Sequence, residues 1–373
     1  FKPMKSVIIS KKFTLQLFLV ASAIFLTACA SREYIMDYEV EESTAQVWPS
    51  PPEIQRLRYV VTLTGEQNVS SVDDNKSFGD YMGDFFKWVA GIVGQNPVPL
   101  VLQRPQSGTI DENGRIYVTD VSRHSILVFD LQNGRLSEWQ LATPNTNLVT
   151  PVGIALGPKK SILVVDAELK MVIQLDEKGA PIGRFGEDKF KRPTGIARDP
   201  VNGRIYVSDT HAHDIKVFDD NGNLINVLGK RGANKGEFNS PTHLFFSNGN
   251  LYVTDTFNTR IQILTNSGEF KSEFGKRGMF VGNFVRPKGV TADSEGNIYV
   301  IESFHDHLLV YNSNGEFLLP IGGTGTAAGK FYLPSGIWAD KNDRIYIADM
   351  FNGRIVILQY LGGNYARKAV SKK

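Results

Sequence analysis

The residues with which this chain could do chemistry are few: one thiol, six imidazoles and a recurring acid. Cys29 is the only cysteine, so no disulfide forms within the chain, and no thiolate nucleophile or cysteine metal site is available beyond it. The histidines are His124, His211, His213, His243, His305 and His307. Imidazole suits zinc and copper, and three or four in one neighbourhood would supply a site. The acid recurs as Asp120, Asp166, Asp209, Asp255, Glu302 and Asp349, each at the end of a short apolar run. A pair of carboxylates can do acid–base work. Six equivalent ones point instead to a duty done once per repeat, accepting hydrogen bonds from backbone N–H groups of the following loop. No Gly-x-Ser-x-Gly elbow, zinc-protease helix or nucleotide loop occurs.

The elements that position these residues repeat. Pro105, Pro151, Pro193, Pro241, Pro287 and Pro334 recur at intervals of 42 to 48 residues. After each comes a strand ending in the acid (IYVTD, ILVVD, IYVSD, LYVTD, IYVIE, IYIAD), and the next apolar strand begins six residues further on, at Ile126, Val172, Ile215, Ile261, Leu308 and Ile355. Turn pairs such as Asn133-Gly134 and Asn314-Gly315 lead into a fourth strand. Four short strands in a unit of this length are the signature of a propeller blade. Repeat 2 is degenerate, with Leu163 where others have tyrosine and Lys159-Lys160 in its turn. In the connections between blades, Gly229/Gly232/Gly236/Phe238 shares its spacing with Gly275/Gly278/Gly282/Phe284 and Gly322/Gly325/Gly329/Phe331.

Pro287-Lys-Gly-Val, Gly296-Asn-Ile-Tyr-Val and Arg260-Ile-Gln-Ile give these units their resemblance to the NHL repeat, over residues 102–361. The fold implied is all-β, a six-bladed propeller. A ring must close, and the strand-like Arg58 to Gly65 is the orphan available to complete blade 6, so 55–65 is assigned as the closing strand. Residues 66–101 replace one connection between blades. Within them Phe78, Tyr81, Met82, Phe85, Val89, Ile92 and Val93 follow helical spacing, which predicts an amphipathic helix over 78–93, either packed on the propeller or docking a partner.

In such a ring the loops between strands two and three share one face, the top, with the connections between blades. All six histidines map there. His124 and His213 occupy a slot where NHL repeats commonly carry histidine, so the resemblance makes them structural. His211, His243, His305 and His307 are the metal candidates, but neighbouring blades stand about 10 Å apart, and neither a metal nor another cofactor is expected. Phe257, Phe304 and Phe351 fall two residues past the acid in three successive blades, with Lys230-Arg231 and Lys276-Arg277 in the connections nearby. Together with His211, His243 and His305 they are the candidates for holding a ligand or partner.

The N-terminus reads as a targeting segment: basic Lys5, Lys11 and Lys12, then an apolar stretch from Phe13 to Phe25. Leu26-Thr27-Ala28-Cys29 resembles the lipobox of bacterial lipoproteins, which implies cleavage after residue 28 and acylation of Cys29. Residues 29–54, proline-rich at Trp48-Pro49-Ser50-Pro51-Pro52, are expected to form a flexible tether, and 362–373 a basic tail. The formal charge of +2 gives no pull towards nucleic acid. Some NHL domains bind RNA on the top face, but an exported protein rarely meets it. The expectation is a lipid-anchored binding protein of the bacterial cell envelope, at the outer membrane, with a protein or glycan partner on its top face, and not an enzyme. The rival is a metal-dependent enzyme. Amidating lyases, which are similar in fold, carry zinc-binding histidines just after the strand-start proline. Here those slots hold Gln106, Val152, Thr194, Thr242, Lys288 and Ser335, and His243, one position on, would by strict alternation face the other side of its strand. Lactonase-like calcium propellers need converging acids and asparagines that the sequence does not show.

Overall fold

The computed structural model describes residues 34–36, 46–71 and 99–363. The chain divides into two compact units, and nearly all described residues belong to that of 35–70 and 95–373; of the other, 1–34 with 71–94, only Tyr34 and Ser71 are described.

Six of the sheets are the blades, one per repeat. Blade 1 runs Pro105–Ile110, Arg115–Asp120, Ser125–Asp130 and Arg135–Trp139, and blade 2 runs Pro151–Leu156, Ile162–Asp166, Met171–Leu175 and Pro181–Phe185. Blade 3 is Pro193–Asp199, Arg204–Asp209, Asp214–Asp219 and Leu224–Leu228; blade 4 is Pro241–Ser247, Asn250–Asp255, Arg260–Thr265 and Phe270–Phe274. Blade 5 is Pro287–Ala292, Ile298–Glu302, His307–Tyr311 and Phe317–Gly322. All are antiparallel meanders, each strand beside its sequence neighbour.

Blade 6 is made from both ends of the unit. Ile337–Ala339, Arg344–Asp349 and Arg354–Tyr360 supply three strands, and Leu57–Leu63 lies antiparallel to Arg354–Tyr360 as the fourth. Val47–Trp48 adds a fifth, pairing with Arg58 and Leu57. Val47–Trp48, expected within the flexible tether, is therefore part of the blade. The reason is the indole of Trp48, which packs on the cluster around Leu57 and so closely on Gly329 that a Cβ there would stand 2.2 Å from it.

The periodicity follows from burial. Second and third strands are buried on both faces, because blades stack on either side, so they read as continuous apolar runs; outer strands such as Leu224–Leu228 face solvent. One apolar cluster fills each gap between consecutive blades, and the cluster of Val60, Leu63, Ile116, Phe129, Tyr346 and Ile355 joins blade 6 to blade 1. Each fully buried side chain of this kind contributes about 1.5–3 kcal/mol.

Gly65 pairs with Val101, so the chain leaves blade 6 and returns at one point. The amphipathic helix expected over 78–93 lies outside the described residues and has no support; the described residues contain short 3-10 turns and no α-helix. The leader, Cys29 and residues 364–373 of the tail also lie outside them.

Candidate functional site

The recurring acid is fully or almost fully buried in every blade. Asp120 accepts from Gln103 N at 2.6 Å and Arg104 N at 3.0 Å on one oxygen, and from Ser122 N and Arg123 N on the other. Asp166 repeats the pattern with Val149, Thr150, Glu168 and Leu169. Each acid therefore clips the incoming connection to its own turn. In blades 4 and 6 an arginine joins: Arg260 Nε meets Asp255 at 2.9 Å and Arg354 Nε meets Asp349 at 2.7 Å. With their oxygens thus occupied, these acids are braces of the scaffold.

Inside this ring lies a cavity of about 230 Å3 on the ring axis, at the top end. Its walls come from the starts of the inner strands: Gln106, Val152, Thr194, Thr242 and Lys288, with Arg192, Thr210 and His243. No acid lines it. Lys288 has no ion pair or hydrogen bond to its ammonium among the described residues. Burial, and then the Arg286 guanidinium, push that ammonium below the ordinary lysine range.

His243 also faces the cavity, contrary to strict alternation. The inner strand is irregular after its proline, with Pro241 opposite Asp255 but Leu244 opposite Val253, and this bulge turns both Thr242 and His243 towards the axis. Its tautomer follows from the hydroxyls beside it. The Thr256 hydroxyl donates to the Pro287 carbonyl at 3.1 Å, so it must accept from Thr242 at 2.7 Å. The Thr242 proton being used, His243 Nδ1–H donates to Thr242 Oγ1 at 3.1 Å, and Nε2 keeps a free lone pair. Burial, aided by Lys288, pushes the His243 pKa down to about 3, so the ring is neutral at physiological pH.

The other candidates fall elsewhere. His211 is exposed, His305 packs edge-on against Phe304 at 5.1 Å, and His307 Nδ1 bonds the His305 carbonyl. Among the described residues no three His, Cys, Asp or Glu side chains stand where they could hold a metal ion. His124 and His213 sit at left-handed turns and pin the next connection, His124 through Val149 O and His213 through Ser240 N. Phe257 is 67% exposed, and Phe304 and Phe351 are each 46% exposed. Phe351 lies against Tyr332 and under Arg104. Lys230 reaches Glu237 at 3.4 Å, while Arg231, Lys276 and Arg277 are exposed. Lys288 was legible as the one charged residue in the six inner slots, but not its lack of a counter-charge.

Comparison with known proteins fits this architecture. The family model described as a 6-bladed beta-propeller matches residues 237–313 and 291–369, and that of the NHL repeat matches 102–129 and 190–218. No curated protein matches the chain. Among solved structures, virginiamycin B lyase from Staphylococcus aureus is 18% identical with a TM-score of 0.52, over 69% of this chain and 95% of its own. An auxiliary nutrient binding protein from Bacteroides thetaiotaomicron is 14% identical with a TM-score of 0.54, over 70% of each chain. A luciferin-regenerating enzyme is 13% identical with a TM-score of 0.53, over 70% of this chain and 92% of its own. Likeness at these identities is one of fold.

The expectation that the chain is not an enzyme is thereby corrected. Its neighbours in fold include a lyase and a luciferin-regenerating enzyme, so the scaffold is one on which catalysis is built, and the absence of familiar catalytic motifs does not argue against it. The chain is a six-bladed β-propeller in which residues 102–129 and 190–218 match the NHL repeat.

Proposed function

We propose that the axial cavity at the top face is a ligand site for a small hydroxy acid or the acidic sugar of a glycan, on a propeller held at a bacterial envelope membrane through a lipid on Cys29. The observation that carries the reading is the unpaired Lys288 ammonium in a cavity with no carboxylate of its own. A charge in that position is stabilised only by an incoming anion. His243 Nε2 supplies an acceptor beside it, which suits a ligand bearing a hydroxyl next to its carboxylate. The exposed Phe257, Phe304 and Phe351, with Lys276 and Arg277, are the surface against which the rest of a larger partner would lie.

Calorimetric titration of the purified chain with D-glucuronate tests this. Saturable binding is expected, weakened at least about tenfold in Lys288→Met by loss of a charge-assisted contact. Mass spectrometry of the recovered probe reads whether it is turned over. Affinity should fall as pH rises through the lowered lysine pKa, from a midpoint below the ordinary 10.5. No saturable binding, or equal binding by Lys288→Met, would remove the site. Labelling of the chain in cells with an alkyne-tagged fatty acid, lost in Cys29→Ser, tests the anchor.

A further inference from the structure

The ring has a second cavity at its lower end, about 770 Å3 in volume, within the range of roughly 300–1,000 Å3 typical of small-molecule sites. It meets the upper one at a belt of Ile196, Leu244, Val290 and Ile337, which line both. Its two sides differ. Blades 4 and 6 contribute Phe245, Phe246 and Trp338. Phe246 is stacked on Tyr206 at 5.7 Å, and Trp338 on Tyr346 at 5.5 Å, so each ring is held rigidly. Trp338 also reaches over Gly108 of blade 1, where a Cβ would stand 2.3 Å from its ring.

Blades 1, 2 and 3 contribute cations. Arg115 is held by Asp111 at 2.8 Å, and Arg198 by Asp220 at 2.7 and 2.6 Å. Lys159 and Lys160 are exposed, with no ion pair or hydrogen bond from either ammonium among the described residues. They occupy the inner turn of blade 2. Blades 1, 3, 5 and 6 carry in that turn an aspartate (Asp111, Asp199, Asp293, Asp340) that accepts from the turn's own backbone. Blade 2 has Gly157 there, followed by the two lysines at φ 53° and 62°. Thus one blade replaces a carboxylate by two free ammonium groups in a cavity that Phe245, Phe246 and Trp338 also line. The remaining acids of the lining are Asp111, which Arg115 and Tyr117 occupy, and the exposed Glu112 and Glu177.

We propose that the lower cavity is a second binding site, for an amphipathic organic anion whose apolar body lies on Phe245, Phe246 and Trp338 and whose head meets Lys159 and Lys160. Burial of the body supplies the affinity, and the lysines fix its orientation and select its charge. This site is independent of the one around Lys288.

The test is calorimetric titration of the full chain with dodecyl phosphate below its micellar concentration, alongside the uncharged octyl glucoside. The expected result is saturable binding of one dodecyl phosphate, with octyl glucoside much weaker. Lys159→Asn/Lys160→Asn, which keeps residues suited to the left-handed turn, should bind about tenfold less tightly. Phe246→Ala should lose at least as much, while Lys288→Met should bind as the parent does. Thermal melts establish that each variant is folded. Absence of saturable binding, equal binding of the uncharged amphiphile, or an unaltered affinity in the double asparagine variant would overturn the proposal.

Discussion

Two concentric rings in this molecule have opposite characters. The outer one, Asp120, Asp166, Asp209, Asp255, Glu302 and Asp349, is chemically uniform, buried and hydrogen-bonded in every blade. The inner one, Gln106, Val152, Thr194, Thr242, Lys288 and Ser335, occupies one equivalent slot per blade, yet it mixes amide, aliphatic, hydroxyl and amine. Where six repeats agree, the residue serves the blade that carries it. Where they disagree around a shared axis, the residues face a common space and act as a set. In a repeat protein, departure from the repeat is therefore the better guide to a binding site than the repeat itself.

Breaking the outer ring should have the largest effect. Asp255 accepts from Asn239 N at 2.6 Å, Asn258 at 2.8 Å, Arg260 at 2.9 Å and Gln262 at 3.2 Å. Asp255→Ala takes the buried carboxylate from Arg260, whose guanidinium keeps Glu273 at 2.8 Å, and leaves Asn239 N, Asn258 and Gln262 without this acceptor; it should destabilise the fold by about 3 kcal/mol in denaturant unfolding. The inner ring should show itself next, in acid. The fold holds His243 neutral, with its pKa at about 3 against 6.5 for the free group, so the unfolded chain binds the extra proton between these values. Stability is full above about pH 6.5 and falls as the pH drops towards 3. His243→Gln should flatten that fall, read as Tm against pH. A smaller effect, of opposite sign to the first, is expected of Lys288→Met. Replacing an unpaired charge by an apolar chain should leave stability unchanged or raise it by about 1 kcal/mol. Loss of stability there would sink the contrast between braced and free groups. The smallest effect belongs to the surface: Phe257→Ser should change stability by less than about 0.5 kcal/mol, read by the same melts.

The fold was legible because its signals are local and sixfold: proline, apolar run, acid, turn. The closing segment around Arg58–Gly65 was legible by elimination, since one strand lacked a sheet and one sheet lacked a strand. What alternation along a strand cannot show is a bulge, so strict alternation turns His243 away from the cavity it lines. Nor can it show charge balance across blades. Lys288 and the pair Lys159-Lys160 stand out only once their neighbours are known to offer no carboxylate to their ammonium groups. Trp48 was hidden for a third reason, because a proline-rich segment reads as unstructured until a surface for its indole exists.

The pairing of Leu57–Leu63 with Arg354–Tyr360 bears on when this protein can fold. Its partners lie almost 300 residues apart along the chain, and no earlier repeat can substitute for the missing side of blade 6. Until the sixth repeat arrives, Leu57–Leu63 has only the short Val47–Trp48 to pair with, and Leu63, fully buried in the finished ring, has no core to enter. Formation of the ring is thus a late, high-contact-order event that follows the last repeat rather than accompanying the first. A chain stalled before that point presents an open, apolar strand edge, the kind of surface that holding chaperones shield and that otherwise aggregates.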